Sequence, residues 1–270
     1  NSSYDNAGVR TCARDSWAIA QRLPYLCGEF RWVGFDYYGE SMGWPARMSY
    51  SGVIDAANIF KDHYYLYQSM WLDARQCPMI HILPHWTHPD ILEDTVIPVW
   101  VYTNCSEAEL FLNNKSLGRK VKGDAFHLQW DVLYQAGEIM AVGYIDNKKV
   151  CKKAFVTAKQ TQTLKLESDT AELLFDGKDT AQVTCTICDV DGVMVPYADN
   201  IVEFIGIGGI KILGTENGNP IDVTPLTSAK RNAFYGIATA LVVSKAGYDN
   251  AGVLAVSILG DKVFSKSTDI

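Results

Sequence analysis

The sequence has little positive charge to offer a polyanionic partner. Its 24 lysines and arginines are outnumbered by 31 aspartates and glutamates, which leaves a net charge of −7. Proteins that bind the nucleic-acid backbone use clusters of basic side chains to neutralise phosphates, and this sequence has no basic stripe. We therefore expect no nucleic-acid partner.

Long apolar runs are also missing. The longest weakly charged stretch covers residues 204–215 (FIGIGGIKILGT), which is too short and too rich in glycine to span a bilayer as a helix. With 48% apolar residues, 20% charged residues and a mean hydropathy of −0.03, the composition is typical of globular proteins. We expect no membrane span, and the length of 270 residues predicts about two domains.

The cysteines lack the regular spacing of a disulfide framework. There are seven of them, an odd number, and we predict that most are small buried hydrophobic residues. Cys185 and Cys188 form a CxxC motif within TAQVTCTICDV, which alternates like a strand. Side chains three positions apart on a strand point to opposite faces, so neither a zinc knuckle nor a redox pair fits this motif.

The first 75 residues mix helix and strand patterns. Asp5 or Asn6 could cap a helix that ends near Arg22, GEFRWVGFD predicts a buried strand, and KDHYYLYQSMWL (61–72) predicts a second helix. One face of the second helix would carry Tyr64, Tyr67, Gln68 and Trp71. Because one strand cannot make a sheet, this helix–strand–helix unit is incomplete. The chain also begins, at Asn1, as if it were cut from a longer protein.

From Cys77 onward the apolar period changes to two. The strand candidates of a first sandwich, over 77–157, are MIHILP, IPVWVYTN, AELFLN, AFHLQWDV, EIMAVGYI and KVCKKAFV, with hairpin turns at Asn113-Asn114 and Asp146-Asn147. After a linker at 157–163, the candidates of a second sandwich, over 160–270, are TLKLES, TAQVTCTICDV, NIVEFIG, IKILGT, GIATALVVS and GVLAVSIL. The predicted fold class is mainly β, with two immunoglobulin-like sandwiches after the mixed unit.

The stretch FRWVGFDYYGE (30–40) places five aromatic rings beside two carboxylates. Rings that stack on a sugar and polar groups that bond its hydroxyls would suit a carbohydrate site. On an extended strand Asp36 and Glu40 lie roughly 13 Å apart, beyond the separations of about 5–9.5 Å that catalytic carboxylate pairs of glycosidases use. The stretch therefore predicts one wall of a site. The alternative is structural, with Trp32, Phe35 and Tyr37 in a core and Asp36 in a turn.

Three histidines in HILPHWTH (81–88) suggest a zinc site, because imidazole is a common zinc ligand. Pro84 and Pro89 argue against a helix, and on a strand His81 and His85 would stand roughly 13 Å apart, too far for one ion. We expect structural roles for these histidines and predict neither a metal nor a cofactor.

GEFRWVGFDYYGE and the following WPARMSYSGVIDAANIFKDHYYLYQSMW resemble the end of the catalytic barrel in family 2 glycoside hydrolases, especially the β-galactosidase-like members of Bacteroidetes. PMIHILPHW, IPVWVYTNCSEAELFLNNKSLGRK and AFHLQWDV are similar to the sandwich that follows that barrel. DGKDTAQVTCTICDVDGVMVPYADNIVEF and GTENGNP are similar to the family's terminal invasin-like immunoglobulin domain. The resemblance implies that residues 1–75 are the last helix, strand and helix of a (β/α)8 TIM barrel.

The same resemblance implies retaining hydrolysis of β-glycosides by two glutamates, an acid/base and a nucleophile. Both glutamates are expected before Asn1, so the isolated chain is predicted to be inactive and to contain no catalytic residue. Trp32 matches a tryptophan that lines the innermost sugar subsite, and Asp36 and Glu40 match acidic positions that shape the neighbouring rim loop. The whole enzyme is expected to be periplasmic or secreted, to act on a carbohydrate, and to be capable of forming a homodimer.

A different function also fits the sequence. Two immunoglobulin-like sandwiches occur in adhesins, so the chain could be a stand-alone module that binds glycans or another protein without chemistry. The helix–strand–helix start counts against this alternative, because an adhesin has no need of it.

Overall fold

The computed structural model describes residues 12–270, and the chain divides into two units. The first comprises Asn1–Met42 with Met48–Thr157, and the second comprises Gly43–Arg47 with Ala158–Ile270. The division at Thr157 falls at the start of the segment that its composition marks as a linker. Within the described part of the chain, no helix has the length and apolarity needed to cross a bilayer.

Two helices lie in the first unit. Helix α1 spans Ala13–Arg22 and ends before Pro24, as predicted, while its predicted cap at Asp5 or Asn6 lies outside the described residues. Helix α2 spans Asp62–Trp71, which confirms the second predicted helix to within one residue at each end. Burial of Leu66 and Tyr67 against Ala13 of α1 gives the two helices a shared apolar contact.

The buried strand predicted over GEFRWVGFD is wrong. This segment is largely exposed, with Phe30 at 99% and Trp32 at 64% of full accessibility, and among the described residues its β-pairing is limited to a parallel bridge between Phe35 and Ile54. An interior parallel strand needs hydrogen-bonded neighbours and cover on both faces. The described residues supply one short neighbour, at residues 53–54, and leave most of the segment uncovered, so the apolar residues remain on the surface.

A short hairpin follows this segment. Strand β1 (Tyr37–Tyr38) pairs antiparallel with strand β2 (Met48–Ser49), placing Tyr38 opposite Met48. The intervening residues carry the Gly43–Arg47 segment that belongs to the second unit.

The first unit contains a β-sandwich of seven strands in two antiparallel sheets. Its strands are β3 (Ile80–Leu83), β4 (Val96–Thr103), β5 (Glu107–Leu112), β6 (Lys115–Val121), β7 (Leu128–Leu133), β8 (Glu138–Ile145) and β9 (Lys148–Val156). The sheet orders are β3-β4-β7 and β6-β5-β8-β9. Alternate residues of both sheets form one apolar core, as the period of two requires.

Six of these strands match the sequence predictions, and β6 was missed. All residues of β6 except the half-buried Leu117 are exposed, so KSLGRKV has no apolar alternation to detect. As the outer strand of its sheet, it carries the lysines and arginine that protect an edge from further pairing. The predicted turns are confirmed by the positive φ of Asn113, Asn114, Asp146 and Asn147.

The second unit contains an eight-stranded sandwich. Its strands are β10 (Thr163–Ser168), β11 (Thr180–Cys188), β12 (Ile201–Gly208), β13 (Ile210–Glu216), β14 (Lys230–Asn232), β15 (Ile237–Ser244), β16 (Ala251–Leu259) and β17 (Lys262–Asp269). The antiparallel sheets have the orders β10-β11-β15-β13 and β14-β12-β16-β17 and enclose a separate core. Strands β14 and β17 were missed, because both lie at sheet edges and are mainly polar.

A buried arginine organises the loop between β13 and β14. Arg231 is fully buried; its Nη1 lies 2.9 Å from Asp222 Oδ2 and donates to Thr224 O at 3.0 Å, while Nη2 donates to Pro225 O at 3.1 Å. Burial opposes ionisation of Asp222, but the N–H of Thr224 and the Arg231 guanidinium outweigh it and lower the pKa of Asp222. The guanidinium thus replaces the regular strand pairing that this loop lacks.

Arg231→Met should destabilise the second unit by about 3 kcal/mol or more, because Asp222 and the backbone carbonyl groups that accept from the guanidinium would lose a buried donor. Lys230→Met is the matched control. Its ammonium group forms an exposed ion pair with Glu203 at 3.0 Å, so the loss should stay below about 1 kcal/mol. Urea unfolding followed by circular dichroism would measure both, and equal losses would contradict a special role for Arg231.

Candidate functional site

Aromatic side chains dominate the surface of residues 30–38. Phe30, Trp32 and Phe35 are all more than half exposed, and Trp32 meets Tyr37 edge-to-face with ring centroids 6.4 Å apart. Soluble proteins seldom leave several large rings together in solvent without a function or a missing cover. We call Trp32, Tyr37 and Glu40 the rim cluster.

Glu40 belongs to this cluster through Tyr37. The phenol of Tyr37 donates a hydrogen bond to the Glu40 carboxylate, and both side chains lie at the surface or close to it. The carboxylate is therefore held beside the ring that contacts Trp32. A ring next to an oriented carboxylate is an arrangement that can bind a sugar through its apolar face and its hydroxyls.

The Asp36 side chain points into the interior of the first unit, unlike those of the rim cluster. It is only 1% exposed, and Lys61 Nζ approaches both carboxylate oxygens, at 2.7 Å from Oδ1 and 2.6 Å from Oδ2. The backbone N–H of Gly52 donates to Oδ1 at 2.8 Å, and Lys61 also donates to Tyr50 O at 3.2 Å. Asp36 thus ties three segments of the first unit together and has no exposed face to offer a ligand.

Gly52 is required by the close approach of the two segments that Asp36 joins. A Cβ at position 52 would lie 2.3 Å from Asp36 N and 2.4 Å from the carbonyl carbon of Phe35. Neither of these backbone atoms can move independently of the chain. Asp36 N also donates to Ile54 O at 2.9 Å, so glycine permits both contacts.

Two side chains near Lys61, Asp55 and His63, have shifted pKa values. Burial raises the pKa of Asp55 to about 6, with a further contribution from Asp36, against the lowering effect of N–H groups donated by Ile59 and Ala57. Burial also lowers the pKa of His63 to about 4, and the Arg31 guanidinium adds to this effect. Asp55 therefore prefers the neutral form more than usual, and so does His63.

An open apolar cavity of about 500 Å3 lies between residues 29–34 and helix α2. Its α2 wall consists of Tyr64, Tyr67, Gln68 and Trp71, which are the four residues predicted to share one helix face. Arg31 borders the cavity, and its guanidinium carbon lies 5.9 Å from the centre of the Tyr67 ring. The half-exposed Trp71 shows that this wall faces solvent in the chain as described.

The three histidines of HILPHWTH make different contacts. His81 is buried, stacks on Tyr65 at 3.9 Å and places Nε2 2.7 Å from Asp62 Oδ1, which fastens α2 to β3. His85 and His88 stack on each other 4.8 Å apart. Among residues 12–270, no three metal-ligating side chains come together.

The structure places the three predicted site residues at different depths. Trp32 and Glu40 lie at the surface, where a ligand could reach them, whereas Asp36 serves the scaffold. Lys61, Gly52 and Asp55 were not predicted to belong to the site. Lys61 is 25 positions from Asp36, and no local pattern marks so distant a partner.

The titrations of Asp55 and His63 should have opposite effects on the stability of the first unit as the pH changes. Asp55 binds a proton more tightly when folded, so its contribution to stability is present below about pH 4 and is lost as the pH rises through 6. His63 binds a proton less tightly when folded, so its contribution is present above about pH 6.5 and is lost as the pH falls through 4. The two effects nearly cancel over the same range.

Asp55→Asn should therefore gain stability over the parent chain between pH 4 and 7, on the order of 2 kcal/mol, because the amide oxygen can still accept both N–H groups. His63→Gln should show the reverse, gaining at pH 4.5 and changing little at pH 7.5. Urea unfolding followed by tryptophan fluorescence would test this, since six of the seven tryptophans lie in the first unit. Parallel pH profiles for all three proteins would refute it.

Two family models match the chain. A domain family of unknown function (DUF4982) matches residues 94–151, within the first sandwich, and glycoside hydrolase family 2 C-terminal domain 5 matches residues 164–268, which cover the second sandwich. Each model thus describes one of the two β-sandwiches.

Relatives extend the similarity to the whole chain. A putative β-glucuronidase of Formosa agariphila is 42% identical over 99% of this chain and 26% of its own length, and a β-galactosidase of Bacteroides ovatus is 39% identical over 87% and 28%. The crystal structure of a β-glycosidase from Bacteroides vulgatus matches with a TM-score of 0.90 and 38% identity, over 99% of this chain and 34% of that one.

The chain spans about a quarter to a third of the length of these proteins and matches their C-terminal part. A C-terminal domain model of glycoside hydrolase family 2 matches its second sandwich, and the relatives that align with the chain are named as glycosidases. The chain belongs to glycoside hydrolase family 2, as a C-terminal portion of such a protein.

Proposed function

We propose that the chain is the C-terminal part of a retaining exo-β-glycosidase of β-galactosidase type. The observation that carries this proposal is the similarity of almost the whole chain, in sequence and in fold, to a β-glycosidase about three times its length. The protein would be periplasmic or secreted. A carbohydrate would be its substrate, and the sandwiches could support a homodimer.

In this proposal the two catalytic glutamates belong to another part of the protein. Retaining hydrolysis needs two carboxyl groups about 5–5.5 Å apart, one as nucleophile and the other as acid and then base. Asp36 is unsuited to either role, because Lys61 and Gly52 occupy its oxygens away from solvent. The chain would contribute binding and support, with no group that reacts.

Trp32 is the residue that we propose contacts the sugar. Its ring is 64% exposed, and its edge-to-face contact with Tyr37 restricts its orientation. Glu40, bonded to Tyr37, would shape the rim beside it. Asp36 would act as a positioning residue, since its ion pair with Lys61 holds the backbone between Trp32 and Glu40.

In the longer protein, residues 1–75 would complete a TIM barrel, and residues 28–36, which form no strand in this chain, would pair there as its last strand between two helices. The open cavity beside α2 supports this assignment, because an outer helix of a barrel packs against neighbouring strands and helices. Tyr64, Tyr67 and Trp71 would then meet the adjoining part of the barrel. Phe30 would also be exposed because the adjoining part of the barrel is not there to cover it.

Two proteins should be compared, the 270-residue chain and the longer enzyme that contains it. We expect the chain to release no nitrophenol from aryl β-galactosides or β-glucuronides, and the longer enzyme to prefer the β-galactoside. Amide exchange in α2 should be slower in the longer enzyme, where the cavity would be filled. Turnover by the chain itself would refute the proposal, and equal exchange would refute the barrel assignment.

A stand-alone binding module remains the second candidate, since the two sandwiches account for most of the chain. Calorimetric titration of the chain with galactose-containing oligosaccharides separates the two functions. Saturable binding by the chain alone would favour the module. Little or no heat is expected if the sugar site needs the rest of a barrel.

Trp32→Ala in the longer enzyme should lower kcat/KM by roughly 10- to 100-fold, because the sugar would lose a large stacking surface and each 1.4 kcal/mol is tenfold. Trp32→Phe keeps a ring and should lose less. Leu92→Ala, which removes an exposed side chain elsewhere in the first unit, serves as the control. Equal activity of the alanine and parent enzymes, at unchanged thermal stability, would exclude Trp32 from the sugar site.

A further inference from the structure

Two cysteines that are distant in sequence meet in the first sandwich. Cys105 lies in the turn between β4 and β5, Cys151 lies in β9, and their sulfur atoms are 3.6 Å apart. Both are free thiols in the structure. A disulfide bond is about 2.05 Å long, so closure brings the two sulfur atoms roughly 1.5 Å closer together.

Gly143 provides the space in which they meet. It lies opposite Cys151 in the β8–β9 ladder and opposite Ala108 in the β5–β8 ladder. A Cβ at position 143 would stand 2.7 Å from both sulfur atoms. Gly143 does not have a positive φ, so the contact with the two thiols is the feature that excludes a side chain here.

The two thiols differ in access and acidity. Cys105 is fully buried, whereas Cys151 is half-buried on the outer strand of its sheet. The hydrogen bond from the Cys151 thiol lowers the pKa of Cys105, and the same interaction, together with burial, raises the pKa of Cys151. The buried sulfur is therefore the better nucleophile, and the outer sulfur is the one that a reagent can reach.

We propose that Cys105 and Cys151 are a thiol-modification site. A small-molecule disulfide such as oxidised glutathione would oxidise the two thiols to an intramolecular disulfide. The bond would tie the turn after β4 to the outer strand β9. This inference is independent of the glycosidase assignment, since it uses only contacts within the first sandwich.

The reaction takes two exchanges. The Cys151 thiol passes its proton to the hydrogen-bonded Cys105 thiolate as its sulfur attacks one sulfur of oxidised glutathione. This step forms a mixed disulfide and releases one glutathione thiolate, which takes the proton from Cys105. The Cys105 thiolate then attacks Cys151 Sγ, breaks its bond to glutathione and releases the second thiolate. The protein loses two protons and two electrons, and two molecules of reduced glutathione carry them away.

The CxxC motif provides an internal contrast. Cys185 belongs to the core of the second sandwich, whereas Cys188, three positions later on β11, lies outside that core cluster. Burial raises the pKa of both, so neither favours the thiolate. The motif that looks like a redox pair in the sequence therefore has the less suitable geometry.

The chain should be incubated with oxidised glutathione, trapped with N-ethylmaleimide and digested without reduction. After trapping in denaturant, we expect a peptide that links Cys105 to Cys151. The buried Cys12, Cys185 and Cys188 should carry N-ethylmaleimide, and the exposed Cys27 and Cys77 should carry either N-ethylmaleimide or one glutathione. Thermal unfolding of the oxidised chain should occur about 5–15 °C higher than that of the reduced chain, because the bond closes a loop of roughly 45 residues.

Three variants test the assignment. Cys27→Ser/Cys77→Ser removes two exposed thiols and should retain the link, whereas Cys151→Ala should abolish both the link and the thermal shift. Gly143→Ala keeps both cysteines but inserts a methyl group against their sulfurs, and it should reduce the yield of the link at least tenfold. Alkylation of both Cys105 and Cys151 in the parent chain after incubation with oxidised glutathione, or a thermal shift that survives in Cys151→Ala, would overturn the proposal.

Discussion

The ion pair between Asp36 and Lys61 is the contact on which the candidate site depends. Among the described residues, the segment that carries Trp32 forms a single β-bridge and a few backbone hydrogen bonds, between residues 33–36 and 53–54, and does not belong to a longer ladder. Asp36 compensates by accepting from Lys61 and from the backbone of Gly52. Because the Asp36 carboxylate is withdrawn from water, it needs the partly exposed Lys61 ammonium as its partner, and the position of the exposed rings follows from that requirement.

The two sandwiches depend on a different kind of interaction. Their cores are assembled from alternating apolar residues, and twelve strand segments could be predicted because alternation is a local pattern. The missed strands β6, β14 and β17 lie at edges and carry polar residues, so what defines them is a neighbouring strand. The failed strand over residues 28–36 shows the converse, since apolar residues form a strand only when partners and cover are present.

The candidate site also combines residues that a local sequence pattern reveals with residues that only folding brings together. Trp32 and Glu40 stand out in the sequence because aromatic residues beside carboxylates are unusual in a short stretch, and their role in binding a sugar stays a prediction. The scaffold around them could not be predicted, because Asp36, Lys61 and Gly52 are brought together only by folding. The thiol pair repeats this lesson, as a local CxxC motif attracts attention while Cys105 and Cys151, with no motif, lie in contact over Gly143.

A common arrangement links these observations to the proposed role. In each unit a buried cation–carboxylate pair, Lys61–Asp36 or Arg231–Asp222, holds irregular chain that the β-ladders do not reach. Such pairs add little net stability compared with apolar packing, but breaking one is costly, so they favour a single loop geometry. That property suits a C-terminal portion whose proposed task is to present Trp32 in a fixed orientation. Flexible loops would have to pay the ordering entropy each time a sugar bound.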